Sequence, residues 1–131
     1  DNTADTAPSP EEREALGEAV ISVSAALCEA GLPHQAAWLD RETMEPRLCA
    51  IGDTEELTQA LSGLLSAETE PDTRTVTRRL AETQGLDYAH AAVLSLRPEP
   101  EDLNTASGTP VTHVAVSAAM LRSKEGIYLA L

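Results

Sequence analysis

Three histidines, two cysteines and one arginine cluster are the side chains of this sequence with distinctive chemistry to offer. His90 and His113 fall on two segments with strand-like patterning that are expected to be neighbours. On one face of a sheet such a pair would share a proton or contribute to a metal site. A metal needs three or four ligands, and the remaining histidine, His34, falls in a stretch read as a loop, with no HxH or HxxE pattern anywhere. Neither a metal nor a cofactor is expected, and His90 and His113 stand as candidates for binding. Strand proximity would also permit a nucleophile–base pair, Cys49 with His90 or Ser117 with His113. No GxSxG, GxGxxG or GxxxxGK[ST] motif accompanies them, so no catalytic residue is assigned.

Cys28 and Cys49 form neither a CxxC pair nor a metal-ligand spacing, and they read as small apolar thiols of the core. Whether they pair depends on a Cα separation below about 7 Å, which spacing does not fix. Arg74, Arg78 and Arg79 make the one basic cluster in a chain of formal charge −13. Arg74 and Arg78 stand one helical turn apart. A solvated face balanced by neighbouring acids accounts for them; a docking spot for an acidic partner or a second copy is the functional alternative.

The elements that position these groups can be read in order. Residues 1–8 are small and polar, without period, and read as an arm outside the fold. Ser9-Pro10-Glu11-Glu12 is a helix start, with a capping Ser, Pro in the first turn and acids at the positive end of the dipole. Leu16, Val20, Val23 and Leu27 then recur on one face, and Gly31-Leu32-Pro33 ends the helix. Two strands follow, about Gln35 to Asp40 and Arg47 to Ile51, joined by a turn without Gly that must be longer than a two-residue hairpin. Asp53 and Glu56 resemble a capping box for a second helix through Leu57, Leu61 and Leu64. A third helix carries Val76 and Leu80. Leu86 to Arg97, Val111 to Leu121 and Ile127 to Leu131 read as strands, separated by the Pro98–Pro110 loop and the Arg122–Gly126 turn. The reading is an arm, residues 1–8, and one α+β domain, residues 9–131.

Strands joined by short connections run antiparallel. The order helix-strand-strand-helix-helix-strand-strand-strand is therefore expected to give a five-stranded antiparallel sheet with three helices packed on it, in a profilin-like arrangement. Over residues 10–65, the first helix, the Gly31-Leu32-Pro33 link, the strands Ala36-Ala37-Trp38-Leu39-Asp40 and Leu48-Cys49-Ala50-Ile51-Gly52, and the helix from Glu55 to Leu65 resemble the first half of roadblock (dynein-light-chain-like) domains. That resemblance implies a small, usually dimeric scaffold or regulator, often of small GTPases, with no catalytic residues to carry over.

Composition bounds the partners. There are 131 residues, enough for one core, with 21 Ala and 17 Leu but no Phe and only Trp38, Tyr88 and Tyr128 as aromatics. A net charge of −13 repels phosphate backbones and anionic lipid, and few aromatics remain to stack bases. No run is apolar and long enough for a transmembrane helix. No signal-peptide pattern opens the chain, and its start at Asp1 is read as a processed or trimmed end. The expected function is that of a cytoplasmic, non-enzymatic protein-interaction or regulatory domain acting as a homodimer through its last strand or first helix. Two alternatives stand beside it. One is a small-molecule-binding or enzymatic domain using the sheet face near His90 and His113, which a deep pocket with convergent polar groups would favour. The other is an acidic immunity or antitoxin-type inhibitor of a basic partner.

Overall fold

Ser9 opens helix α1 (Pro10–Glu29) with a reciprocal capping box: the Ser9 hydroxyl accepts from Glu12 N–H and the Glu12 carboxylate accepts from Ser9 N–H, both at 3.1 Å. At the other end the chain turns through Gly31 with φ 71°, the left-handed conformation a glycine takes without strain. The computed structural model describes residues 1–4, 6–66, 70–71, 75–83, 88–97, 109–117 and 119. Around α1 stand β1 (Thr3–Ala4), β2 (His34–Leu39), β3 (Pro46–Ile51), α2 (Thr54–Ser66), β4 (Glu70–Pro71), α3 (Val76–Thr83), β5 (Ala91–Ser95) and β6 (Val111–Ala115).

β2 and β3 form an antiparallel hairpin in the register Ala36↔Cys49 and Ala37↔Leu48. Its turn is held by Asp40, whose carboxylate accepts from the Glu42 and Thr43 N–H groups, and by Met44 at φ 55°. Period-two alternation gives the hairpin two apolar faces. Ala36, Cys49 and Ile51 pack with Ala25 and Cys28 of α1 and with Leu57, Ala60, Leu61 and Leu64 of α2. Ala37, Leu39 and Leu48 pack with Val76, Leu80 and Ala81 of α3. Cys28 and Cys49 share the first of these clusters as free thiols. The N-terminal half of α1 packs elsewhere: Ala15, Leu16 and Ala19 meet Leu94, Leu96, Val114 and Val116 of the β5–β6 region. One helix thus underlies both strand pairs.

The five-stranded antiparallel sheet does not form. Among the described residues the strands associate as the antiparallel pair β2–β3, the parallel pair β5–β6, and a two-residue parallel contact between β1 and β4. Nor do three helices cover one face, since α3 lies opposite α1 and α2. The profilin-like arrangement is overturned with the sheet. The physical reason lies in the connection between Ser95 and Val111. A parallel pair requires a crossover of about a dozen residues or more, and this connection is long enough to supply one. The expected strand Ile127–Leu131 lies outside the described residues.

The expected free arm also meets a different arrangement. Asn2, Thr3 and Ala4 are buried, Thr3 completely. Polar residues without periodicity are buried here because each finds a distant hydrogen-bond partner.

Candidate functional site

Backbone hydrogen bonds show which edge of each strand is in use. Asp40 N–H donates to Glu45 across the hairpin, so the even positions of β2 pair with β3. The odd positions, Gln35, Ala37 and Leu39, turn their backbone groups to the opposite edge. In the parallel pair, Ala91 N–H donates to Pro110 and Val116 N–H to Ser95. The odd positions of β5 therefore face β6, and Ala92 and Leu94 face away. The outer edges of β2 and β5 look toward one another across a gap.

At one end, the gap is closed by the first two residues of the chain. The Asn2 amide donates to Leu39 O at 3.0 Å and accepts from Leu39 N–H at 2.7 Å. That is the pair of bonds a residue on an adjacent strand would make. One residue earlier, the Asp1 amine donates to Leu94 O at 2.7 Å. A dipeptide thus spans from β5 to β2, so the edges stand about one strand's width apart. Asp1 Oδ1 accepts from Thr3 N–H, the Thr3 hydroxyl and Val76 N–H at the start of α3, where the helix dipole favours an anion. Arg97 faces Asp1 Oδ2 at 3.7 Å and donates to the Thr3 hydroxyl at 3.1 Å. Burial, and secondarily the Arg97 charge, push the Asp1 amine down to about 5. The His113 imidazole is lowered by its own burial and by the Asp1 amine.

At the other end the Tyr88 hydroxyl donates to Gln35 Oε1 at 2.8 Å, in an exposed position. Between the two ends lies a cavity of about 830 Å³. Leu16, Val20 and Val23 of α1 line one side, Val76 and Leu80 of α3 also contribute, and Trp38 is among its walls. The polar side chains around it are largely engaged with one another. Ser24 Oγ lies 2.6 Å from His34 Nε2, and His34 Nδ1 lies 3.0 Å from Leu32 O, an arrangement met when the ring carries its proton on Nδ1 and accepts from the serine. His90 Nε2 lies 2.7 Å from the Thr112 hydroxyl.

The residues singled out by sequence do not assemble. His90 bonds Thr112, whose register partner Ala92 alternates with Leu94 on the face toward α1. His113 stands opposite Val93 and takes the other face. They form no pair, and among the described residues no group of three or more His, Cys, Asp or Glu is arranged to hold a metal. Arg79 donates to Met44 O at 3.0 Å, tying α3 to the hairpin turn; Arg78, like Arg79, is half-buried and engaged within the chain. Arg74 lies outside the described residues. Asp1, Asn2, Ser24, His34, Gln35 and Tyr88 were missed. The one signal was Ser24, a polar residue interrupting the inward stripe of α1.

No protein-family model, no curated protein and no solved structure matches this chain. Among the described residues, no helix is long and apolar enough to cross a membrane.

Proposed function

We propose that this chain is a non-enzymatic protein-interaction domain whose binding element is the gap between β2 and β5, shaped to take one extended apolar segment. The observation that carries this is the pairing of two outward-facing strand edges across an apolar cavity. The hydrogen-bonding capacity there is backbone, which an extended peptide matches along both sides. A compact small molecule would match the volume, which falls in the ordinary range for ligand pockets, but not the two rows of amide groups. The polar side chains it would need are occupied, Ser24 by His34 and Gln35 by Tyr88. The resemblance of residues 10–65 to roadblock domains points the same way, toward a scaffold. Homodimer formation belongs to this proposal. The outer edge of β6 is unpaired among the described residues and carries the exposed Val111, a surface along which a second copy pairs.

The test is titration of the full chain with a soluble, extended apolar peptide, read by Trp38 emission and by amide exchange at Ala37 and Ala92. Saturable binding with slowed exchange at both positions is expected. Ala37→Pro removes an outward N–H that β3 does not use, so it should weaken binding while the hairpin persists. Binding unaffected by that proline, or a blue-shifted Trp38 without slowed exchange, would favour a small-molecule pocket instead. Light scattering at physiological salt tests the dimer; a monomer mass at micromolar concentration removes it.

A further inference from the structure

Two threonines show what a helical hydroxyl ordinarily does. The Thr58 hydroxyl donates to Thr54 O at 2.9 Å and the Thr83 hydroxyl to Arg79 O at 2.7 Å, each one turn back along its own helix. Ser24, the one buried polar residue of α1, turns instead to His34, with Oγ 2.6 Å from Nε2. On the far side of the ring, Nδ1 lies 3.0 Å from Leu32 O, which holds the imidazole in the tautomer whose Nε2 accepts. Ser24, Leu32 and His34 all line the cavity. A hydroxyl, a base within hydrogen-bond reach and a third group that orients the base are the parts of an activated nucleophile.

Independently of the strand-accepting reading, we propose that Ser24 is a covalent acyl acceptor with His34 as its base, taking an apolar acyl group from an activated ester or thioester. The Ser24 Oγ lone pair forms a bond to the acyl carbonyl carbon, and His34 Nε2 takes the hydroxyl proton. The bond from that carbon to the leaving oxygen or sulfur then breaks with its electron pair, and the imidazolium returns the proton to the leaving atom. The products are an O-acyl serine and a free alcohol or thiol. The N–H of Gln35, the next residue of β2, faces the gap rather than β3, a position from which a backbone donor meets the developing oxyanion. The choice of an apolar acyl chain follows from the cavity walls, among them Leu16, Val20, Val23 and Trp38. Transfer stops after one acyl group. The serine ester has a far poorer leaving group than the donor, and Leu32 O is a neutral carbonyl where hydrolytic triads carry a carboxylate, so it gives the imidazolium little support. The side chain is consumed rather than turned over, which suits a binding domain whose cavity the acyl chain then blocks.

The experiment is incubation of the full chain with p-nitrophenyl octanoate, following p-nitrophenolate release, intact mass and the labelled position by peptide mass mapping. A burst of one equivalent per chain is expected, with a mass increase of one octanoyl group located on Ser24. Ser24→Ala should abolish the burst. His34→Gln keeps a side chain able to hydrogen-bond Ser24 but unable to take its proton, and should slow the burst by at least about 100-fold. Thermal melts confirm that both variants are folded, and the mapped position in the native chain decides the nucleophile without them. p-Nitrophenyl acetate should react at least about tenfold more slowly, because it buries less apolar surface. An octanoyl group on any other residue, a burst unchanged in either folded variant, or equal rates with the two esters overturns the proposal. Steady turnover that needs both Ser24 and His34 makes the chain an esterase, which overturns the single-transfer form and the non-enzymatic reading with it. Peptide binding in the gap is measured without any ester, so the failure of one reading leaves the other standing.

Discussion

The two ends of the gap between β2 and β5 are closed by opposite means. At the Leu39–Leu94 end the closure is buried and charged: the side chain of Asp1 is almost inaccessible, Arg97 lies against it, and Asn2 imitates a neighbouring strand. At the Gln35 end it is one exposed hydrogen bond from Tyr88. A buried ion pair is costly to break from one side, because the remaining charge is stranded in a poorly solvating interior. An exposed hydrogen bond is exchanged for water at little cost. The difference teaches where the gap yields: on the strand-accepting proposal, a segment would enter past Tyr88, with the Asp1 end as a fixed stop.

The largest effect should come from removing the stop. Deleting residues 1–4 removes the buried Asp1 carboxylate beside Arg97 and exposes two backbone edges, so stability should fall by about 3–5 kcal/mol and Tm by on the order of 10 °C or more. A thermal melt within a degree or two of the native chain would show that these residues are not docked, and the contrast between the ends would vanish. Asn2→Ala comes next. It leaves Leu39 N–H and C=O, on one of the most deeply buried residues, without their partner. A loss of about 1–3 kcal/mol is expected in urea unfolding.

The pH dependence has a definite sign. The Asp1 amine titrates at about 5 in the fold against 8.0 as its ordinary value. Between those values the unfolded chain binds a proton that the folded chain does not, so stability rises as pH increases from about 5 to 8 and then levels off. The slope is at most about 1.4 kcal/mol per pH unit. Urea midpoints across this range should show it, and acetylation of the amine should flatten it. The smallest effect belongs to the other end: Tyr88→Phe should cost less than about 1 kcal/mol, yet it should speed peptide entry in stopped-flow traces of Trp38 emission. A Tyr88→Phe loss as large as that of Asn2→Ala would erase the distinction between stop and entrance.

What was legible in the sequence was local. The Ser9 N-cap, the Gly31 cap and the β2–β3 hairpin each depend on residues a few positions apart, and all three are present. The inward stripe of α1 is present as well, although of its four members only Leu16 is buried and Val20, Val23 and Leu27 are half-buried; all four line the cavity. What was not legible depends on distance. Asp1 and Asn2 have their partners 93 and 37 residues away, and nothing in a polar, aperiodic start reports that. The parallel pairing of β5 and β6 turns on the course of a long connection; the strands of His90 and His113 are neighbours as expected, but the two side chains take opposite faces. A one-residue difference in register parity sends two side chains to opposite sides.

The bidentate grip of Asn2 on Leu39 sets a chemical clock on the unfolded chain. An asparagine deamidates when the following backbone nitrogen attacks its side-chain carbonyl carbon and expels ammonia, after which water opens the cyclic imide to a carboxylate. Here that nitrogen belongs to Thr3, which is fully buried with its N–H held by Asp1 Oδ1. While folded, the chain shields the reaction; each excursion to the unfolded state releases it. The product carboxylate would place an oxygen where the amide donor meets Leu39 O, opposing two acceptors. Unfolding that is reversible over minutes becomes irreversible over longer storage, and lifetime is then governed by time spent unfolded as well as by stability.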